Sequence, residues 1–175
     1  MTRWLAIATA IGSVTACSGG SSSPTAPTPP APPANIAGPY GTNIIASSTC
    51  SANLPPETRT LGFFATITQT GAAVQVQLVA HVPGAPSFTV TGTVSGQTVT
   101  LPSISFGENI GRGVTLVASG NASVGANGSI TGILSGTYQT PSGSSCNAAN
   151  HQLEMVKLCE QKVDQGTALL PCAGI

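Results

Sequence analysis

The chain has 175 residues, of which only 6% are charged, and its formal net charge at pH 7 is zero. That length accommodates one modest domain with a spacer rather than two domains. The few lysines and arginines are scattered along the chain, which excludes the clustered positive charge that nucleic-acid binding requires. The composition is rich in Gly, Ser, Thr and Val, which favours antiparallel sheet with many turns over helix.

The first residues have the organisation of a secretory signal. A basic start at Arg3 precedes an apolar run, 4–15, which is too short to span a bilayer because spanning takes about 20 residues. The run ends in Val14-Thr15-Ala16-Cys17, which resembles the lipobox of bacterial lipoproteins. The resemblance implies that 1–16 is a signal peptide and that Cys17 is lipidated and becomes the first residue after cleavage. The alternative is an ordinary signal with an incidental cysteine.

The residues after the cysteine suit a membrane tether. Ser18 occupies the position that, in lipoproteins of this kind, directs the protein to the outer membrane of the cell envelope. A Gly/Ser run is followed by 24–33, in which six of the ten residues are proline, a composition that favours extended polyproline II over a packed core. We therefore expect 17–35 to be a lipidated, disordered linker, held at the membrane by its acyl chains.

The cysteines predict disulfides. Of five cysteines, lipidation removes one and leaves Cys50, Cys146, Cys159 and Cys172, which in an oxidising compartment form two bridges. Three pairings are possible, and we favour Cys50–Cys146 with Cys159–Cys172. The first ties the start of the domain to its last part, and the second closes a short C-terminal loop. No Cys-x-x-Cys or nearby histidine supports a metal site, so neither a metal nor another cofactor is expected.

From about residue 40, apolar residues alternate with polar ones at period two, which is typical of half-buried antiparallel strands. Thr70-Gly71, Ser95-Gly96 and Asn127-Gly128 supply turns between them. The parity changes at Pro102, which predicts a bulge or an edge there. About eight strands result, at 41–46, 59–69, 74–82, 88–94, 99–106, 114–124, 130–138 and 151–157.

Sequential strands without crossover helices predict an all-β fold, a single antiparallel up-and-down barrel over 36–158, with a β-sandwich as the alternative. Glycines on the inward parity, at 92, 120, 132 and 136, suit the curvature of a small barrel. The end of the chain is ambiguous because its Gln, Glu, Met and Lys residues also favour helix. We expect a closing strand to about Leu158, and then an irregular or briefly helical tail, 159–175, closed by the second disulfide.

Several short features resemble lipocalin-like or avidin-like barrels borne by bacterial lipoproteins. They are Gly41-Thr42 opening the first strand, Arg59-Thr60 opening the second, Ser144-Ser145-Cys146, and His151-Gln152-Leu153 leading into the final strand. The resemblance covers 40–158 and implies the barrel fold, with hydrophobic-ligand carriage or inhibition of exported proteases as possible activities. It does not extend to biotin binding, which needs several tryptophans, because the only one, Trp4, lies in the signal.

Catalytic motifs are not found in the sequence. His81 falls on the polar parity of its strand and is expected to be solvated, whereas His151 is expected to hydrogen-bond at a strand start. Glu57 and Glu108 could meet at one barrel end, although a salt bridge from Glu108 to Arg112 is the simpler expectation. Function is therefore expected on rims and loops, with 47–58, 81–87 and 107–113 as the longest.

The sequence as a whole predicts a lipid-anchored protein of the cell envelope that acts as a binding or interaction module and not as an enzyme. Its predicted partners are the membrane, through the lipid on Cys17, and an unidentified protein or small molecule. The alternatives are an inhibitor of exported proteases and a carrier of small hydrophobic ligands.

Overall fold

The computed structural model describes residues 31–81, 84, 86–107, 113–163 and 166–172. Two short 3-10 helices, Ser48–Ala52 and Pro56–Thr58, follow the first strand. The strands are β1 (Gly38–Ile45), β2 (Thr60–Thr70), β3 (Ala73–Ala80), β4 (Ser87–Ser95), β5 (Thr98–Phe106), β6 (Thr115–Val124), β7 (Ile130–Gln139), β8 (Ser145–Val163) and β9 (Gly166–Pro171).

Strands β1 to β8 form a closed barrel. Each strand pairs antiparallel with the next, and β8 returns to pair with β1 from Tyr40 opposite Lys157 to Ile45 opposite Gln152. Closure satisfies the backbone groups that an open sheet would leave at its two edges. The predicted up-and-down barrel of eight strands is therefore confirmed, and the sandwich alternative is wrong.

The alternating pattern in the sequence is the cause of this arrangement. Along β3, exposed and buried side chains alternate without interruption, so that every second residue lies in the core. Two-residue turns join β2 to β3 and β4 to β5. In these turns Gly71 and Gly96 have φ values of +59° and +55°, a backbone conformation that residues other than glycine rarely adopt. The turns therefore set the pairing of their strands.

The predicted irregularity at Pro102 is present. The register between β5 and β6 shifts between Leu101 and Ile104, where two consecutive residues of β5 are exposed. Proline has no N–H to donate to the ladder, so the strand bulges at this point and the buried parity changes. Leu101 and Ile104 consequently both face the core.

Glycines on the inward parity bring neighbouring strands close to one another. A Cβ placed on Gly120 would overlap the carbonyl oxygen of Ile133, and one on Gly136 would overlap that of Val117. The same holds for Gly92 and Gly132, which meet backbone of the adjacent strand. The four positions predicted from parity are thus places where the wall of the barrel bends too tightly for a side chain.

The C-terminal part differs from the prediction. An irregular or helical tail after Leu158 is wrong, because β8 continues to Val163 and pairs with β9. The boundary placed between 158 and 159 therefore falls inside one strand. Residues 158–163 extend past the last barrel partners of β8, and together with β9 they form a two-stranded ribbon that we call the arm. Continuation of an existing ladder outweighs the helix propensity of Glu, Gln and Lys here, because differences in propensity are worth less than about 1 kcal/mol per residue.

Both ends of the barrel are covered. At the end where β1 begins, which we call the entry end, Ile36 is fully buried and its N–H donates to Oε1 of Gln69 at 2.8 Å. The backbone N–H of Ala34 donates to the carbonyl of Gly96 at 2.7 Å, so the chain is already attached to the barrel before β1. The opposite end, the cap end, is covered by the segment 46–59, which contains both 3-10 helices and buries Cys50 and Leu54.

Candidate functional site

Among the described residues, buried side chains of the wall and of both ends fill the interior of the barrel. An internal cavity of about 20 Å³ remains, and its wall includes Ile36, Thr42, Ile44 and Met155. A void of that size holds about one water molecule. The interior therefore has no space here for a ligand of several heavy atoms, which directs the search for a site to the ends and the outer wall.

The cap end is held by a disulfide and by one guanidinium group. Cys50 is bonded to Cys146 at the start of β8, which joins the cap to the last barrel strand. Arg59 donates from Nε to the carbonyl of Leu54 at 2.8 Å and from Nη2 to that of Ser51 at 2.6 Å. Charge-assisted bonds to two carbonyls fix the course of the loop. Arg59, which the sequence pattern places at the start of the second strand, thus stabilises the conformation of the cap.

His151 lies inside the barrel wall and is fully buried. Its Nδ1 accepts the backbone N–H of Ser47 at 3.0 Å, and its Nε2 lies 3.0 Å from the carbonyl oxygen of Gly136. Because a carbonyl can only accept, Nε2 carries the proton and donates it to Gly136. Both ring nitrogens are therefore used in structural hydrogen bonds. The hydrogen bonding expected for this histidine is confirmed, but its place at a strand start is wrong, because β8 already begins at Ser145. Its complete burial was not foreseen.

Two buried hydroxyls, Thr42 Oγ1 and Tyr138 Oη, have no hydrogen-bond partner among the described residues. Tyr40 differs, since its hydroxyl donates to the carbonyl of Ile36 at 2.9 Å. Burial raises the pKa of Tyr40 to about 12 and also raises the pKa of Tyr138 above its ordinary value. Both phenols are therefore neutral near pH 7, and neither supplies a proton acceptor.

The outer wall of β2, β3 and β4 presents a regular array of neutral polar side chains. Six exposed residues, which we call the Thr/Gln face, form two cross-strand rows: Thr66, Gln77 and Thr89 in one, and Thr68, Gln75 and Thr91 in the other. A groove of about 240 Å³ runs between these rows, and five of the six side chains line it. Every group in this groove can both accept a hydrogen bond and donate one.

An exposed aromatic pair lies beside this face. Phe64 precedes Thr66 by two residues on β2, so both point outward, and the Phe64 side chain is 56% exposed. The ring centroids of Phe64 and His81 are 4.2 Å apart. A Cβ at Gly62 would lie 3.3 Å from Nδ1 of His81, so the absence of a side chain there makes room for the imidazole. We call Phe64 and His81 the aromatic platform.

A second groove of about 310 Å³ lies on the outer wall between β7 and β8. It contains Ile133, which is 51% exposed, together with Gln152 and the carboxylate of Glu154. It offers an amide, as the Thr/Gln face does, but it also has an exposed aliphatic side chain and a negative charge, and no aromatic ring lines it. The two grooves therefore differ in the chemistry that they offer to a ligand.

The predicted site residues are only partly brought together. Cys50–Cys146 and Cys159–Cys172 are the two disulfides present, and they are the pairs that the sequence favoured. His81 is exposed as expected, but its contact with Phe64 was missed. The outward parity of Phe64 in the β2 pattern could have revealed it. Cys17, Glu108 and Arg112 lie outside the described residues, as do the signal peptide and the lipidated part of the linker.

Within the described ranges, no group of three or more His, Cys, Asp and Glu side chains is arranged to hold a metal ion. No helix in the same part of the chain is long and apolar enough to cross a bilayer. No protein-family model, no curated protein and no solved structure matches the chain.

Proposed function

We propose that this chain is a lipid-anchored protein of the cell envelope, held by an acylated Cys17, whose barrel is a non-enzymatic binding module. The observation that carries the proposal is the filled interior, in which the cavity amounts to about 20 Å³. With the core occupied by its own side chains, recognition falls to the outer surface of a rigid, closed barrel.

The course of the chain supports anchoring at the entry end. Ala34 and Ile36 attach the segment before β1 to this end, so a tether from Cys17 would approach the barrel there. In a polyproline II conformation, each residue of such a tether adds about 3.1 Å. The entry end would then face the membrane, and the cap end with its disulfide would face away.

Anchoring is tested by expressing the full chain and its Cys17→Ser variant in bacteria. We expect the parent chain to partition into the membrane fraction, with an acylated Cys17 as its first residue in mass spectrometry. The variant should be released or remain unprocessed, because no thiol is available for the lipid. An unmodified N-terminus in the parent chain would contradict the proposal.

The two alternatives are less well supported. A carrier of hydrophobic ligands needs an interior of several hundred cubic ångströms, far more than the cavity of about 20 Å³ provides. An inhibitor that inserts its N-terminal segment into a protease would need that segment free, whereas the segment here is rich in proline and is proposed to be acylated at Cys17. A panel of exported proteases that retains full activity with the purified chain would remove the inhibitor hypothesis.

A further inference from the structure

The distribution of charge over the barrel is uneven. Residues 60–107 and 113–153 include no Asp, Glu, Lys or Arg, although they form β2 to β7 and the first half of β8. The charged residues of the described chain lie in the cap and further along β8, for example Arg59, Glu154 and Lys157. About one quarter of the residues of a typical globular domain are charged, so this wall is unusually neutral.

A neutral, polar wall restricts the ligand that it can recognise. Anionic polymers and nucleic acids would find no cations there to replace their counterions. An apolar partner would meet hydroxyl and amide groups that it leaves without hydrogen bonds, which costs binding free energy. The complementary ligand is uncharged and carries many groups that both donate and accept hydrogen bonds.

The Thr/Gln face and the aromatic platform combine two contacts on one surface. Phe64 and Thr66 are successive outward residues of β2, at a spacing of about 6.8 Å. Val79, opposite Phe64, is also exposed and extends the apolar end of this surface. One end is thus aromatic and the other is a groove of hydroxyls and amides. A pyranose has the same division, with apolar C–H groups on its faces and hydroxyls around its edge.

We infer that this surface binds a neutral polysaccharide, one sugar ring lying against Phe64 and the next units placing their hydroxyls in the groove between Gln75 and Gln77. The inference rests on the proposed function, because it names the ligand class of a binding module. The amides of Gln75 and Gln77 supply a donor and an acceptor each, and Thr66, Thr68 and Thr89 complete the groove. Extended chains suit a groove that crosses three strands.

The experiment titrates the isotope-labelled full chain in detergent with cellohexaose and maltohexaose, and follows the side-chain amide signals by NMR. Hexagalacturonate has the same number of rings with a carboxylate on each and serves as the anionic probe. We expect at least one neutral hexasaccharide to shift the Gln75 and Gln77 signals, and hexagalacturonate to leave them unchanged. Phe64→Ala should weaken this binding about tenfold. Gln75→Ala with Gln77→Ala should abolish it, as followed on the backbone amide signals of β2 to β4, because this variant lacks both side-chain amides.

The groove between β7 and β8 provides the matched control. Ile133→Ala with Gln152→Ala also removes an exposed apolar side chain and an exposed amide, and it should leave the binding unchanged. The inference is overturned if neither neutral hexasaccharide binds, if hexagalacturonate binds equally, or if the control variant is weakened as much as Phe64→Ala. If the same signals shift with protein concentration in the absence of sugar, the surface is a contact with a second copy of the chain, and the inference is overturned as well.

The same samples separate this inference from the proposed function. The length of each hexasaccharide is checked by mass spectrometry after the titration. Intact sugar that shifts Gln75 and Gln77 supports both statements, because the module binds without turnover. Shortened sugar would still support binding at this surface, but it would refute the proposal that the module is not an enzyme. Sugar binding that persists in the Cys17→Ser variant would support the binding surface independently of acylation.

Discussion

His151 and Ser47 show how polar residues are used inside this barrel. The imidazole joins the cap, through the N–H of Ser47, to the carbonyl of Gly136 on β7. Both hydrogen bonds stabilise the fold, because a buried ring nitrogen without a partner would cost about 1–3 kcal/mol. The chain has only two histidines, and the buried one is a structural link and not a free base. Sequence parity could assign His151 to a strand, but not to the partners that fix it.

The chain has two tyrosines, Tyr40 and Tyr138, and both predict a loss of stability at alkaline pH. Burial raises the pKa of Tyr40 to about 12, against 10.0 for an exposed phenol, and raises that of Tyr138 as well. The unfolded chain therefore releases these protons first. We expect the contribution of the two tyrosines to the free energy of unfolding to be complete below about pH 10 and to be lost as the pH rises to 12 and beyond. Denaturant unfolding at a series of pH values measures it.

Phenylalanine variants identify the source of that pH dependence. Tyr138→Phe should reduce the alkaline loss and cost little at pH 7, since its hydroxyl has no partner among the described residues. Tyr40→Phe should also reduce it but cost about 1 kcal/mol at pH 7, because its bond to Ile36 is lost. If the loss of stability at alkaline pH is the same in both variants as in the parent chain, groups other than these tyrosines cause it.

At the scale of strands, inward glycines bring β6 and β7 close together. Gly136 on β7 lies against Val117 and Ala118 of β6, and Gly120 on β6 lies against Ile133 of β7. Alternation alone predicted that these glycines face inward. Their role depends on how closely the neighbouring backbone approaches, which is a property of the closed barrel.

Gly136→Ala is expected to lower the free energy of unfolding by about 2 kcal/mol, because the new Cβ would overlap the carbonyl of Val117. Gly41→Ala on β1 is the matched control. Its Cβ would meet only Leu158 Cδ2 at 4.0 Å, an ordinary contact, so a change within about 0.5 kcal/mol is expected. Denaturant unfolding measures both variants, and equal losses would show that the close approach of Val117 to Gly136 is not the cause.

At the scale of the whole molecule, the two disulfides act on different units. Cys50–Cys146 spans 96 residues and connects the cap to the barrel, whereas Cys159–Cys172 spans 13 residues within the arm. Loop-closure entropy, which depends only on separation along the chain, assigns about 4.7 and about 3 kcal/mol to the two bridges. The structure alters this comparison, because the strand pairing of residues 158–163 within the described part of the chain is with β9, beyond the last barrel partners of β8.

Replacing Cys50 and Cys146 by serine should therefore lower the global free energy of unfolding by up to about 4–5 kcal/mol. Replacing Cys159 and Cys172 should leave global unfolding nearly unchanged and expose the arm locally. Denaturant unfolding reports the first effect, and amide hydrogen exchange at 158–163 and 167–170 reports the second. A large global loss from the arm disulfide would show that the arm and the barrel unfold as one unit.

Local pattern was enough to predict the eight strands, the bulge at Pro102 and the inward glycines, because a period of two and the conformations of glycine and proline are properties of neighbouring residues. The cysteine count narrowed the bridges to three pairings, of which the favoured one is present. The same local reasoning failed at 158–171, where Glu, Gln and Lys favour helix but pairing with an adjacent strand outweighs their propensity.

Side-chain alternation over 36–158 alone determined that this is an all-β chain with one apolar face. Tertiary structure decided everything that depends on residues far apart in the chain. It placed His81 over Gly62 and against Phe64, buried His151 between Ser47 and Gly136, and aligned the rows of the Thr/Gln face. The physical reason is that the alternation within a strand determines which of its sides faces the core, whereas its register with neighbouring strands determines which side chains are in contact.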